Sequence, residues 1–246
     1  MRSTDCLDRY FAVVRDQGLF SSPENLKFYL RYLFENLSFT NKAVLDIGGG
    51  AGLFSFYAAC MGAEKVVCIE PGAAGSSMAM IRKSDALQSC LENPGHVRIE
   101  SKKLQDLDFG DARFDILLLH NSVNHLDEVA CVDLLHDGRA KESYLEIFKM
   151  LSVLANSGAT LIITDCSRYN FFASLNLTNP FAPTIEWNKH QSPEFWASLL
   201  SEAGFRDARI RWTTFNRLRS LGRLLFANRF ASYFLQSHFC LTMQKG

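Results

Sequence analysis

A glycine-rich turn follows the first strongly apolar segment of the chain, in the stretch "VLDIGGGAGLFSFYAA" (residues 44–59). The apolar run is typical of a buried strand, and the residues after the glycines repeat with a helical period. Glycines at such a turn let the backbone bend tightly and approach a ligand closely, because no Cβ intervenes. The segment therefore predicts a strand–turn–helix unit with a ligand at the carboxyl end of the strand.

Predicted strands and helices alternate through the rest of the chain. The runs "DILLLH" and "ATLIITD" are continuously apolar, which favours strands covered on both faces of a parallel sheet. This alternation predicts an α/β, doubly wound, Rossmann-like and mostly parallel sheet of seven strands. The predicted strands cover residues 43–47, 65–70, 96–100, 114–120, 159–165, 206–214 and 238–244, with helices at 52–61, 74–91, 139–154 and 193–203.

Two further helices precede the first strand, within residues 1–40. Ser22 is placed as the N-cap of the second, with Pro23 at its first position and Glu24 in its first turn. We expect one domain over residues 1–246. A long polar and aromatic connection at 166–192 predicts a lid over the site, since loops of this length are usually functional.

Charge and cysteine content narrow the functional classes. Lys plus Arg and Asp plus Glu both number 26, so zero net charge disfavours a nucleic-acid binder. Seven scattered cysteines without metal-ligand spacing, Cys60, Cys68 and Cys240 among them, predict reduced and mostly buried thiols and no metal site. The first residues have no apolar core of a signal peptide, and no apolar run is long enough to cross a membrane. We expect a cytoplasmic location.

The spacing in the turn bears on the ligand. A dinucleotide fingerprint would place its third glycine at position 53, which is Leu53. Asp46 lies in the strand beside the turn, where a carboxylate suits an amine-bearing ligand and would repel a pyrophosphate. The second strand ends in Glu70, which is placed to accept both ribose hydroxyls. A ribose joined to a charged amino acid describes S-adenosylmethionine.

These motifs resemble those of the class I S-adenosylmethionine-dependent methyltransferases, over residues 40–165 well and over the last two strands loosely. The resemblance implies an antiparallel last strand and S-adenosyl-L-methionine as cofactor. It implies that Asp46 and the turn face the methionine portion and that Glu70 holds the ribose. The implied cofactor-binding residues on the first two strands and their loops are Asp46, Gly48, Gly50, Gly52, Glu70 and Pro71.

The third strand and its loop would flank the adenine. Many relatives carry an Asp there that accepts a hydrogen bond from the adenine amino group. This chain aligns Lys103 and Leu104 at that position, and Lys cannot accept such a bond. The acceptor is then a neighbouring residue or a backbone carbonyl, or the alignment is shifted by one or two residues.

"FDILLLHNSVNHLDE" matches the family's fourth motif and ends in a polar cluster. His120 ends the strand, and Asn121 begins the loop expected beside the methyl group. A hydroxyl nucleophile benefits from a base with a pKa near 7, which favours His120 as catalytic base or as a ligand of the cofactor or substrate. The alternative is a His120 that packs on the adenosine or bonds to a loop carbonyl. His125 is a further catalytic candidate, and its alternative is a structural role in the loop.

Candidate residues for binding the substrate that accepts the methyl group lie at the end of the fifth strand and in the predicted lid. Tyr169 could orient a substrate, and Arg168 could meet a carboxylate or phosphate on it. In the lid, Glu186, Trp187 and His190 are candidate substrate ligands. The alternative for the lid is a tightly packed loop whose Trp belongs to the core.

An arginine-rich segment separates the last two strands, as an insertion at residues 215–236. Residues 206–229 contain seven arginines and one acidic residue, Asp207, and part of the segment is helical and amphipathic. It could contact an anionic membrane surface, a phosphorylated substrate or another subunit, or it could be a solvated surface helix.

The sequence therefore predicts a methyltransferase of small-molecule biosynthesis that acts on an oxygen or nitrogen of a sugar or specialised metabolite, as a monomer or homodimer. One alternative keeps the cofactor but changes the reaction to cyclisation or aminoalkyl transfer, which releases methylthioadenosine. Another is a non-catalytic cofactor-binding subunit.

Overall fold

The computed structural model describes residues 3–72, 77–213 and 215–246. Its seven strands form one sheet in the order β3-β2-β1-β4-β5-β7-β6, with β7 antiparallel to its two neighbours. The predicted Rossmann-like sheet with an antiparallel last strand is confirmed. The strands are β1 (Ala43–Ile47), β2 (Lys65–Ile69), β3 (Val97–Glu100), β4 (Phe114–His120), β5 (Ala155–Cys166), β6 (Phe205–Trp212) and β7 (His238–Lys245).

Ten α-helices accompany these strands in the described part of the chain, together with several short 3₁₀ turns. Ser22 caps α2 as predicted, because its Oγ accepts a hydrogen bond from the Asn25 amide at 3.1 Å. The helices are α1 (Ser3–Asp16), α2 (Pro23–Phe34), α3 (Leu53–Cys60), α4 (Ser77–Gln88), α5 (Glu128–Asp133), α6 (Gly138–Leu154), α7 (Phe171–Ser174), α8 (Pro193–Glu202), α9 (Arg219–Phe226) and α10 (Arg229–Phe234).

Most predicted boundaries lie within three residues of the observed ones, and the start of β5 differs by four. Helix α6 runs directly into β5 at Ala155, so β5 begins four residues before the predicted start at 159. The predicted helix at 74–91 and the predicted strand at 206–214 both include positions that lie outside the described residues, at 74–76 and 214.

Packing divides the chain into two compact units, residues 1–118 and 119–246. In the first unit, α1 is attached to α3 at two points. The buried Tyr10 hydroxyl donates to the Leu53 carbonyl at 2.9 Å, and Cys6 forms a disulfide bond with Cys60. The reduced state predicted for all seven cysteines is therefore wrong for Cys6 and Cys60. The apolar neighbours of Cys60 indicated burial correctly, but only helix packing reveals that Cys6 lies opposite it.

In the second unit, α6 and α8 pack against β5, β6 and β7. Tyr144, Phe148 and Trp196 bring α6 and α8 together, with ring centroids 5.1–5.8 Å apart. Ser192 caps α8 through a 3.2 Å bond from the Phe195 amide. Beyond β5, the predicted lid at 166–192 contains α7 and a 3₁₀ turn, and the predicted insertion at 215–236 contains α9 and α10.

Candidate functional site

The glycine turn after β1 serves two different physical needs. A Cβ built on Gly49 would lie 2.5 Å from the Cys68 Sγ and 2.7 Å from the Asp46 Oδ2, so Gly49 is required by packing inside the protein. Gly50 has φ +58° and a Cβ there would meet no protein atom within 4 Å. The backbone of Gly50 therefore faces open space, as a ligand-binding turn requires. The spacing of the glycines in the sequence singled out Gly50 but not Gly49.

Asp46 is buried in β1, and only one of its two carboxylate oxygens has a hydrogen-bond partner. Its Oδ2 accepts a 2.6 Å hydrogen bond from the Ser55 hydroxyl on α3, whereas its Oδ1 has no hydrogen-bond partner. Burial raises the pKa of Asp46 to about 6, the Ser55 bond opposes that rise, and the nearby Glu70 charge adds to it. An unsatisfied buried carboxylate oxygen is costly, and a cationic amine would satisfy it.

Glu70 follows β2 and lies against the turn. Its Oε2 accepts a hydrogen bond from the Gly50 amide at 2.8 Å, and its own amide donates to the Glu100 carbonyl. Glu70 and Gly50 together line a cavity of about 330 Å³. Apolar side chains, among them Ile81 and Ile99, also line that cavity.

The other residues of the first unit that were predicted to bind the cofactor include Pro71, Lys103 and Leu104, and these three do not line the cavity. Pro71 is exposed directly after Glu70. On the β3 side the cavity is lined by Ile99 and Ser101. By contrast, Leu104 is buried in the core and Lys103 is exposed. Ser101, which the sequence analysis did not single out, carries a hydroxyl that can accept a hydrogen bond.

In the second unit, Asn121 is held by a network of hydrogen bonds at the end of β4. It adopts φ 54°, a left-handed conformation that Asn tolerates. Its amide donates to the Thr164 carbonyl at 2.9 Å, and its Oδ1 accepts from the Thr164 hydroxyl at 3.1 Å. The same Oδ1 lies 2.8 Å from Nε2 of His238, whose Nδ1 lies 2.7 Å from the Thr213 hydroxyl.

This geometry fixes the tautomer of His238. The Asn121 Oδ1 can only accept, so Nε2 carries the hydrogen and Nδ1 accepts from Thr213. Burial, with a smaller contribution from nearby His190, lowers the pKa of His238 to about 4. Sequence reasoning missed His238, although an antiparallel last strand places its first residue beside the carboxyl end of β5, opposite Cys166.

His120 ends β4 as predicted and is partly buried. Burial, and then the proximity of His238, lowers the pKa of His120 to about 3. The imidazole is therefore neutral near pH 7. A group with so low a pKa is a weak proton acceptor, because general-base efficiency rises toward the working pH.

A buried carboxylate–imidazole pair lies where β5 ends. The Asp165 Oδ1 lies 2.8 Å from His190 Nδ1 and also accepts from the Cys166 amide. The side chain of Asp165 is 2% exposed and that of His190 13%. Burial raises the pKa of Asp165, and the bond from His190 opposes that rise. Among the described residues, no hydrogen bond engages His190 Nε2 or Asp165 Oδ2.

The backbone around His190 is fixed by its neighbour in the lid. The fully buried Gln191 donates to the Cys131 carbonyl at 2.8 Å and accepts from Arg168 at 3.2 Å. The Cys131 thiol in turn lies 3.2 Å from the Lys189 carbonyl. These bonds attach the lid to α5 and hold the imidazole in place.

A second carboxylate–imidazole pair is exposed. His125 Nδ1 lies 2.6 Å from Glu128, and the two side chains are 55% and 47% exposed. Lys189 lies 3.6 Å from Glu128 and 2.6 Å from Glu186. Of the predicted lid residues, Glu186 is therefore an exposed partner of Lys189.

A cavity of about 680 Å³ lies in this unit. It is lined by the predicted substrate ligands Arg168 and Trp187 and by Tyr169, which was predicted as a catalytic residue. Several amide side chains such as Asn188, and Tyr233 of α10, also line it. Trp187 is partly exposed there and does not belong to the core. A volume of this size is typical of small-molecule sites. In the described part of the chain, no group of three or more His, Cys, Asp or Glu side chains could hold a metal ion.

Comparison with known proteins agrees with this geometry. The family model described as "Methyltransferase domain" matches residues 22–209. A candidate S-adenosylmethionine-dependent methyltransferase from Listeria monocytogenes has a similar structure, with 16% identity, a TM-score of 0.60 and coverage of 90% of this chain and 99% of that one. No curated protein sequence matches the chain.

Two other solved structures are similar in fold. A methyltransferase from Aquifex aeolicus, described as SAM dependent, shares 17% identity with a TM-score of 0.54, covering 90% of this chain and 98% of that one. Magnesium protoporphyrin IX methyltransferase from Synechocystis, solved with bound SAM, shares 15% identity with a TM-score of 0.51, covering 90% and 79%. The chain belongs to the methyltransferase family. It is an S-adenosylmethionine-dependent enzyme of the class I fold.

Proposed function

We propose that this enzyme methylates a hydroxyl oxygen of a small molecule, with His190 as general base and Asp165 as the residue that orients it. The observation that supports this is the buried Asp165–His190 pair at 2.8 Å. The acceptor remains in the class predicted from the sequence, a sugar or specialised metabolite, and a nitrogen acceptor is the competing outcome.

The chemistry of the pair favours an oxygen acceptor. Asp165 accepts a hydrogen bond from the protonated Nδ1 of His190. The other ring nitrogen, Nε2, is then unprotonated and able to take a proton from a hydroxyl group. Asp165 is almost fully buried, so its carboxylate is little screened and can stabilise the imidazolium that forms. An amine acceptor needs only to be neutral and aligned, and would not require such a pair.

His190 is better suited to this role than the other histidines near it. Both ring nitrogens of His238 are engaged by Thr213 and Asn121. The pKa of His120 is lowered to about 3, and the pair formed by His125 is exposed to solvent. We propose that His120 and Asn121 shape the pocket.

The residues that would hold the cofactor lie in the first unit. When bound, S-adenosylmethionine supplies an electrophilic methyl group on a sulfonium. We propose that Gly50 and the turn approach its methionine portion, that the unsatisfied Asp46 Oδ1 accepts from its amine, and that Glu70 Oε1 accepts from the ribose. The apolar face formed by Ile81 and Ile99 suits the adenine.

The acceptor would present its reacting hydroxyl to His190, and the rest of the molecule would bind in the 680 Å³ cavity, which the nearby residues Trp187 and Asn188 line. Arg168 lies near the start of the predicted lid, and its guanidinium is bonded to Gln191, which keeps it in place. Tyr169 and Trp187 offer aromatic faces on which a planar or sugar ring can pack. The amides around them can bond to hydroxyl groups.

The test uses methyl-labelled S-adenosylmethionine and the small-molecule fraction of a cell extract, with mass spectrometry of the labelled product. We expect an O-methyl product and S-adenosylhomocysteine, and His190→Asn should lower the rate of labelling by about 10²–10⁴-fold. His125→Asn, which removes the exposed imidazole, is the matched control and should change the rate much less.

An N-methyl product, or a His190→Asn variant that is folded and labels at the parental rate, would overturn the proposal. Release of methylthioadenosine would indicate chemistry at another carbon of the sulfonium. Thermal melting of each variant separates loss of activity from loss of structure.

A further inference from the structure

The 215–236 insertion presents an unusually apolar surface. Leu224 and Phe230 are 80% and 76% exposed, and the exposed apolar residues of the segment are Leu218, Leu221, Leu224, Leu225, Phe226, Phe230 and Phe234. Large contiguous apolar patches are rare on monomeric soluble proteins and mark interaction sites. The insertion is therefore a candidate docking surface.

The exposed residues have a helical arrangement. Leu221, Leu224 and Leu225 share one face of α9, and Phe230 and Phe234 lie one turn apart on α10 with ring centroids 5.2 Å apart. Gly222, on another side of α9, is buried. The leucine face of α9 therefore points away from the protein.

All the charged side chains of the 215–236 insertion are positive. Arg217, Arg219, Arg223 and Arg229 are all exposed. The sequence contains no Asp or Glu after Asp207. Arg229 lies 3.4 Å from Glu194, but both side chains are well exposed, so solvent screens that pair.

The insertion is held firmly against the protein. The buried Asn170 amide donates to the carbonyls of Tyr233 and Leu235, both at 3.0 Å, and Asn179 donates to Leu235 at 2.6 Å. Tyr233 also lines the acceptor cavity, and Phe230 lines a second cavity of about 480 Å³ beside it. The apolar surface therefore adjoins the proposed acceptor site.

We propose that the 215–236 insertion docks the enzyme on an anionic lipid bilayer. An amphipathic helix with leucine and phenylalanine on one side and arginine on the other lies at the bilayer interface, with its apolar side among the acyl chains. Arginine side chains are long enough to reach the headgroups from the opposite side of the helix, and each adds attraction to anionic lipid.

A second copy of this chain fits the surface less well. A two-fold dimer through the same face would bring the arginines of both copies together, and like charges oppose such a contact. No helix of the described residues is long and apolar enough to cross a membrane, so the proposed contact is peripheral.

The test is flotation of the purified full chain with vesicles of phosphatidylcholine, with and without phosphatidylglycerol. We expect binding that requires phosphatidylglycerol and weakens with salt, because Debye screening reduces the electrostatic attraction. Leu224→Glu and Phe230→Glu should each reduce the partition coefficient more than about tenfold. Arg223→Gln should reduce it less. Val153→Glu and Arg139→Gln change comparably exposed residues on α6 and are the matched controls.

Vesicle binding that is absent, or that Leu224→Glu and Val153→Glu weaken equally, would overturn the proposal. Sedimentation velocity is run in parallel on the same samples. A dimer that Leu224→Glu dissociates, without vesicle binding, would assign the surface to chain–chain contact instead. These measurements need no acceptor, so they stand apart from the oxygen-methylation proposal.

Discussion

Two adjacent glycines in the turn after β1, Gly49 and Gly50, are glycine for different physical reasons. Gly49 has no space for a side chain, because Cys68 and Asp46 occupy it. Gly50 has space on its outer side, and its amide is bonded to Glu70. The same residue type is therefore required by the core at one position and faces open space at the next, where we propose that the cofactor binds.

This difference leads to a prediction for Gly50. Gly50→Val should weaken S-adenosylmethionine binding more than about tenfold, or about 1.4 kcal/mol, because its side chain would occupy the space beside the cavity. Gly110→Val is the matched control, since Gly110 also has positive φ and an open Cβ position but lies in an exposed loop. Calorimetry that finds equal affinities for the two variants would contradict the assignment of Gly50.

At the scale of elements, α1 depends on its attachment to α3. The Cys6–Cys60 bond closes a loop with a sequence separation of 54 residues, and such a cross-link restricts the unfolded chain. The Tyr10 hydroxyl makes the second attachment, at the other end of α3. These two contacts position the helix that carries Ser55, the partner of Asp46.

We therefore predict that the Cys6→Ser, Cys60→Ser double variant is about 2–4 kcal/mol less stable than the parent in non-reducing denaturant titrations. Reducing agent should destabilise the parent and leave the double variant unchanged. Thiol titration of the unfolded, non-reduced parent should find five thiols, since five cysteines are free in the structure. A count of seven would refute the disulfide bond.

At the scale of the whole molecule, buried titratable groups make stability depend on pH with opposing signs. The pKa of His238 is lowered from 6.5 to about 4, so the unfolded chain takes up a proton there first and folding stability is lost as the pH falls below 6.5. The pKa of Asp46 is raised from 3.8 to about 6, so its protonation favours the folded state as the pH falls through 6.

Two variants should separate these contributions in denaturant titrations at pH 7 and pH 5. Relative to the parent, His238→Gln should gain about 1–2 kcal/mol of stability on going from pH 7 to pH 5, because it removes the group that disfavours folding in acid. Asp46→Asn should change in the opposite sense. Parallel pH profiles for the parent and both variants would show that neither group is perturbed.

The antiparallel last strand was implied by the resemblance to a family. The sequence by itself determined the positions of the seven strands and of most helices, the cap at Ser22, and the position of the turn with Asp46 and Glu70. These features are local: periodicity, capping chemistry and glycine spacing act over a few residues, so they can be read without knowing the fold.

Only the tertiary structure decided which distant side chains meet. Asp165 and His190 are 25 residues apart, His238 and Asn121 are 117 apart, and Cys6 and Cys60 are 54 apart. Each pairing depends on how loops and helices pack on a completed sheet, and the spacing of the residues along the chain carries no trace of it. For this reason the sequence pointed to His120 as the base, whereas we propose His190, whose partner and burial arise only from packing.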